Sequence, residues 1–459
     1  MTTVLDADYL VVGAGASGLA FTDALVSYTD ATVAIVDRRG DPGGHWCDAY
    51  PFVRLHQASA FYGVASMLLG GGRRQSAGPE AGLHERASGA EVRAYCSTVL
   101  DTLVATGRVA YVGGYEHVGA GMMRRLDDAG AASVRVRPGA RIVDARFLSP
   151  TIPATSPPPF EVAADTTVLP VGRLDACLDA SRLVIVGSGK TATDAVVHAL
   201  GAGVDPGRIT WVRPREPWML DRAVAQPDPA VFTGMAAAVW ESAARARSLE
   251  ELFARLEDAG VMLRIDRAVT PTMAKTPTLA RWELALLREV EDVARLGHLR
   301  RVERRGLSFE DGDVPLPPGA AVVHCAADGL PRPAPVPVWT TDAITLQPIR
   351  AGFPCFGAAL IGYVEATRSD DHAKNALCPP TSYGDTRAQW AEMTVRGARS
   401  VAAYSREPDI RAWAREVHLN PARVPQGYAS RAWDEARERI ARADAAATRR
   451  LAELAGIAP

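Results

Sequence analysis

Lysine is nearly absent from this chain: Lys190, Lys275 and Lys374 are the only three among 51 basic residues. Arginine carries the rest. With the abundant alanine, this reads as base composition in the gene rather than a selected basic surface, and it leaves each lysine worth inspecting. Net charge is lacking as well. A formal −2 at pH 7 and a pI near 6.5 give no global pull on nucleic acid or anionic lipid, so small molecules are the expected partners. The six cysteines (Cys47, Cys96, Cys177, Cys325, Cys355, Cys378) are scattered without a C-x-x-C. That excludes a zinc knuckle or redox dithiol and suggests a reduced, cytoplasmic setting. No apolar run reaches the roughly 18 residues needed to cross a bilayer. No charged-then-apolar leader precedes the first strand pattern, so no membrane role is expected. At 47% hydrophobic and 23% charged, the composition excludes disorder and fibrous folds. What remains is a globular chain of 459 residues, enough for two or three cores.

The pattern opens with a strand at Tyr9–Val12, a glycine turn, a helix over about Ser17–Val26 and a strand at Thr32–Val36. This is a βαβ entry into a parallel sheet. A second unit repeats it, with strand Leu183–Val186, a turn, a helix over about Thr191–Leu200 and strand Arg208–Val212. Between them "PTIPATSPPPF" (Pro150–Phe160) has too many prolines for regular structure and reads as a domain boundary. Further on, Ser248 and Glu251 form a capping box for a helix presenting Leu249, Leu252, Phe253 and Leu256, ended by Gly260. A second helix is expected over about Leu279–Leu296, with Trp282, Leu286, Val290 and Val293 inward. "AAVVHCAADG" (Ala320–Gly329) reads as a buried strand returning to a sheet. From about Thr386 the pattern is helical, and "DEARERIARADAAATRRLAELAG" is an amphipathic helix suited to packing or to homodimerisation.

A dinucleotide fold uses its first glycine for a tight turn, its second for close approach to a pyrophosphate and its third for helix–strand packing. Gly13, Gly15 and Gly18 have that spacing, and Asp37 stands at the second strand tip, where an acid holds ribose hydroxyls. The later turn has Gly187 and Gly189, with Ala192 in the third place. Its Lys190 and Thr191 suggest a nucleotide-hydrolysing loop, but that loop needs a glycine where Val184 stands. Arg213 and Arg215 occupy the region where the first unit has Asp37, and a guanidinium fork there favours a 2′-phosphate and hence NADPH. Two unlike dinucleotide sites in one chain imply electron transfer from nicotinamide to flavin.

These turns, together with "GGHW" (Gly43–Trp46) and "YPFVRLHQAS" (Tyr50–Ser59), resemble the FAD- and NADPH-dependent flavoprotein monooxygenases of the flavin-containing and Baeyer–Villiger type. The resemblance runs to about Gly329 and leaves the tail unmatched. It implies an α/β protein with two Rossmann-like dinucleotide-binding domains, the FAD domain interrupted by the NADPH domain. The expected division is residues 1–155 for FAD, 156–318 for NADPH with a helical insertion, 319–385 for the return to the FAD domain, and 386–459 for the tail. It places Gly13, Gly15, Ser17, Gly18, Asp37, Arg38, Gly44, His45, Trp46 and Gln57 around FAD. Gly187, Gly189, Lys190, Thr191, Arg213 and Arg215 would surround NADPH. His56 would face the reactive edge of the flavin, where the family more often has Asn or Asp, as a hydrogen-bond donor or proton shuttle. Its alternative is a core histidine; Trp46 likewise fits either core or cofactor wall. Arg54 would meet a cofactor phosphate or a substrate carboxylate.

One departure bears on activity. The family's Phe-Gly-His fingerprint before the second turn is reduced to Phe160 in "PPPFEVAADTTVLPVGRL". The expected function is a monooxygenase using NADPH and O2 on a small molecule, at nitrogen, sulfur or beside a ketone. A flavin reductase or oxidase without oxygenation is the alternative, and a non-catalytic dinucleotide sensor belongs to another class. "RSDDHAKN" (Arg368–Asn375) lacks metal-ligand spacing and reads as a polar loop, while "TPTMAKTPT" (Thr270–Thr278) reads as a loop with Lys275 free to reach a phosphate.

Overall fold

A computed structural model describes residues 3–128 and 133–458. Two five-stranded, all-parallel sheets organise it. The first runs, across the sheet, Ala343–Thr345, Arg141–Asp144, Tyr9–Val12, Val33–Asp37 and Val109–Gly113. The second runs Val168–Pro170, Ala320–His324, Arg182–Val186, Ile209–Val212 and Val293–Ala294. Parallel strands covered on both faces need near-continuous apolar residues. Val33–Asp37 and Ile209–Val212 accordingly are buried at every position.

Each glycine-turn strand lies at the centre of its sheet. The helix after the first turn, Ala16–Tyr28, packs against Pro354–Thr367. A Cβ at Gly362 would lie 2.5 Å from the Phe21 carbonyl oxygen, so the two helix backbones meet where only glycine fits. The crossings between the domains run side by side, with Thr151 N–H donating to Gly329 C=O at 3.0 Å.

Several expectations are corrected. The strand Ala320–His324 stays in the second sheet, paired with Arg182–Val186; the return to the first sheet is Ala343–Thr345, not residue 319 onward. Sheet membership, fixed by long-range pairing, is invisible to a local apolar pattern. The helix expected through Leu296 is Arg281–Leu287, and Leu284 and Leu287 form its buried side. Residues Asp371–Leu377 are helical rather than a loop: Asp370 caps the helix by accepting from Ala373 N–H, and Lys374 is buried against Glu365. Ser248 caps Leu249–Asp258, but the Glu251 carboxylate accepts from Arg247 N–H instead of closing a box. The tail helix Arg431–Ala455 packs on Pro229–Arg245 within the same chain, burying Ala447, Leu451 and Ala452.

Candidate dinucleotide sites and the seam between them

At the first turn Gly13 takes φ +115°, and a Cβ on Gly18 would lie 2.0 Å from the Gly13 oxygen. Both glycines are therefore required by geometry. Ala14 N–H donates to Asp37 Oδ2 at 2.7 Å, and Arg39 N–H to Oδ1 at 2.8 Å, which fixes the carboxylate beside the turn. Gly15 caps the following helix with no side chain on its free N–H groups, the ordinary setting for a phosphate. Ser17 is half-buried in that first helical turn, and Arg38 is exposed, 3.9 Å from Glu116.

Gly43 N–H donates to Ala14 C=O at 2.9 Å, laying "GGHW" across the turn; Gly44 faces Gly15 closely. Trp46 is buried, with its indole N–H on the Tyr62 hydroxyl and the rings edge to face at 5.8 Å. His45 lies beside it at 5.2 Å, and burial, then the charge of Arg39, lowers its imidazole to about pKa 4.

The second turn repeats the design with Gly187 at φ +137° and its carbonyl held by Trp211 Nε1 at 2.8 Å. Gly189 caps Lys190–Gly201 without a side-chain bond, and a Cβ there would meet only open space. Lys190 pairs with Asp194, which also accepts from the Tyr50 hydroxyl at 2.7 Å; Thr191 is half-buried alongside. Three strand ends around this turn carry buried groups without a hydrogen-bond partner: Ser188 Oγ, Arg213 Nε and Nη1, and His324 Nδ1. Buried polar atoms are rarely left so.

The two arginines take different positions. Arg213 is 3% exposed, stacked 4.4 Å over Trp211 and 3.3 Å from Glu216, and burial first lowers its pKa to about 10. Arg215 reaches outward to Asp385 at 3.1 Å, where Arg332 also approaches at 3.7 Å. Lys275 donates to the Asp328 carbonyl at 3.0 Å close by, and Arg332 and Arg215 disfavour its charge after burial does. Three cations thus surround one carboxylate. Lys275, expected from its loop to be free to reach a phosphate, is held by the Asp328 carbonyl, and Arg332 carries no motif that marks it in sequence.

His56 sits on the seam between the domains. Thr278 N–H donates to its Nδ1 at 3.4 Å, which leaves the proton of a neutral ring on Nε2. Its carbonyl accepts from Arg222 Nε at 3.0 Å and from the Thr278 hydroxyl. Dense surroundings, then Lys190, Arg222 and Arg86, lower its pKa to about 3. Shuttling a proton near neutral pH is therefore disfavoured for this ring, and donation of a hydrogen bond is not. Gln57 donates to Gly352 C=O at 3.2 Å, tying the segment to the start of Pro354–Thr367. Exposed Arg54 donates to Arg86 C=O at 2.9 Å and lines a cleft of about 980 Å³ with Phe52, Tyr95, His198 and Trp282. Neither glycine turn lines that cleft.

Residues 11–59 match the model of the NAD(P)-binding Rossmann-like domain. Among solved structures, the chain is similar to a flavin monooxygenase from Stenotrophomonas maltophilia in a doubly mutated form, 15% identical over 82% of this chain and 100% of that one, TM-score 0.43. It is similar at the same level to the bacillithiol disulfide reductase Bdr from Bacillus cereus, 11% identical over 80% of this chain and 100% of that one, TM-score 0.44. Likeness at this level leaves activity to be argued from the chain's own residues. By sequence it is 40% identical over 420 residues to the protein Rv2000 of Mycobacterium tuberculosis, covering 91% of this chain and 78% of the relative, whose function is uncharacterised. The chain belongs to the family of that mycobacterial protein, with a Rossmann-like unit at its start.

Proposed function

We propose that the protein is a flavoenzyme that would hold FAD and NADPH and use O2 as a monooxygenase, one oxygen atom entering a small molecule and the other leaving as water at the expense of NADPH. The observation that carries this is the pairing of unlike glycine turns: a carboxylate is tied to the first at Asp37, and cations gather beyond the second at Arg215, Lys275 and Arg332. A carboxylate suits ribose hydroxyls and repels a 2′-phosphate; a cation cluster does the reverse.

The residues fit the two cofactors. Gly13, Gly15 and Gly18 with the bare helix start at Ala16 would take the FAD pyrophosphate, and Asp37 its ribose. The open face of Gly189, the unpartnered Ser188 hydroxyl and Arg213, whose Nε has no hydrogen-bond partner beside its ion pair with Glu216, would take NADPH. Bound FAD supplies the hydride acceptor and the site of oxygen chemistry. The chain's own contribution is placement: His56 presents Nε2–H at the seam, while the Trp46–Tyr62 pair packs the segment that follows the first turn. Substrate entry through the cleft past Arg54 is part of this reading.

The missing Phe-Gly-His fingerprint favours a second reading, an NADPH–flavin reductase or oxidase. Mixing the reduced protein with oxygenated buffer separates the two. A long-lived near-ultraviolet absorbance distinct from oxidised flavin supports oxygenation. Immediate return of oxidised flavin with stoichiometric peroxide supports the oxidase.

A further inference from the structure

We infer that Arg222 is a positioning residue for His56, holding its backbone from across the domain seam through a buried cluster of four charges. This rests on the reading of His56 as the polar group at the reactive edge of the flavin. The Arg222 side chain is fully buried, with Nη1 2.6 Å from Glu80 and Nη2 2.8 Å from Glu283. Arg86 lies 2.5 Å from Glu80 and 3.8 Å from Glu283, so two cations and two carboxylates close on themselves with no net charge. The members come from separate segments: Glu80 and Arg86 precede the helix Gly89–Ala105, Arg222 follows the strand Trp218–Asp221, and Glu283 lies in Arg281–Leu287.

A buried ion cluster is a weak source of stability, because well-packed apolar residues usually serve as well. Its value here is direction. With both Nη atoms on carboxylates, Nε is left to donate to the His56 carbonyl at 3.0 Å. Thr278 adds its hydroxyl to the same carbonyl and its N–H to the ring. Thr278 itself follows Thr276, a β-branched residue at φ +49° directly before Pro277. Both features disfavour that conformation, and such strain persists where surrounding contacts over-determine it. The charged groups around His56 are Lys190, which is paired with Asp194, together with Arg222, Arg86, Glu80 and Glu283. Backbone and ring are thus both fixed by the second domain, which leaves Nε2–H as the free donor.

The test uses the full-length protein with ¹⁵N-labelled histidine, His56→Gln assigning the ring signal, and Arg222→Met, Arg222→Lys and Thr278→Val compared. In the wild type the ring should be a single Nε2–H tautomer that does not titrate across the ordinary histidine range. In Arg222→Met both tautomers should appear and the ring should titrate. The rate of flavin reduction should fall by about tenfold and become pH-dependent, with KM for NADPH little changed. Arg222→Lys should recover part of each. Should Arg222→Met fail to fold, Thr278→Val, which keeps the charge cluster and the N–H on the ring but removes the hydroxyl from the His56 carbonyl, should loosen the ring through its backbone, to a smaller extent. An unchanged tautomer and pH profile in Arg222→Met, with only a lower Tm, would overturn the inference, as would an unchanged ring in Thr278→Val. A wild-type protein that takes up no flavin would defeat the flavoenzyme reading instead, while the ring measurements still decide this one.

Discussion

The Ala14 amide donates to the Asp37 carboxylate at 2.7 Å, so the first glycine turn and the acid at the strand tip behave as one rigid unit. Asp37→Ala should release both. FAD affinity should drop by at least tenfold, about 1.4 kcal/mol, with Tm lowered only modestly. Titration of the apoprotein with FAD, followed by quenching of flavin fluorescence, reads this directly.

The two turns differ in how much room they leave, and alanine substitution exploits the difference. Gly18→Ala puts a methyl 2.0 Å from the Gly13 oxygen and should destabilise by about 1–3 kcal/mol or more, with loss of flavin. Gly189→Ala meets open space. It should fold normally and weaken NADPH binding alone, as thermal unfolding with and without NADPH would show.

Arg213 and Arg215 should also part company. Arg215→Ala should cut the preference for NADPH over NADH at least tenfold, about 1.4 kcal/mol, without loss of stability. Arg213→Ala removes a guanidinium stacked on Trp211 and should lower Tm as well. Steady-state kinetics with both nucleotides beside calorimetry separates the roles.

Much of the fold was legible in sequence because each βαβ unit is local: strand, turn, helix and strand lie within about 30 residues. Gly13, Gly18 and Asp37 announce themselves by spacing, and Gly187 by the repeat. The sheet to which the strand Ala320–His324 belongs is not legible, because its pairing partners in Arg182–Val186 lie more than 130 residues away and nothing local distinguishes them. The seam was the least legible part. His56 was found through its neighbours in "YPFVRLHQAS", but Arg222, Thr278, Glu80 and Glu283 are single residues brought together by packing alone.

Acid stability follows from the same seam. Burial opposes the Glu80 charge, but hydrogen bonding and charge from Arg86 and then Arg222 outweigh it and hold the carboxyl at about pKa 2, below the usual 4.5. A carboxyl with a depressed folded pKa stabilises fully above its unfolded value and loses that contribution as pH falls through the folded one. The loss should therefore fall between about pH 4.5 and 2, on the order of 3 kcal/mol. His56 acts in the same direction at higher pH, since the unfolded ring takes a proton near 6.5 that the folded ring refuses until about 3. Urea unfolding across pH should show a shallower acid slope in Glu80→Gln than in the wild type.

The tail helix is an integral part of the fold. Leu451 is fully buried with Trp390 and Phe253, so Leu451→Ala should destabilise by about 2–5 kcal/mol. Denaturant unfolding at several protein concentrations checks this, and a midpoint independent of concentration is expected where the helix packs within its own chain.

The central claim is that one chain holds FAD at the Asp37 turn and is reduced by NADPH at the Arg215 turn. Its most direct test is the visible spectrum of the purified protein, supplemented with FAD and then mixed anaerobically with NADPH. The account predicts a bound oxidised-flavin spectrum that bleaches with NADPH and far more slowly with NADH. A protein that stays colourless after FAD is added, or a bound flavin that NADPH leaves oxidised, would contradict it.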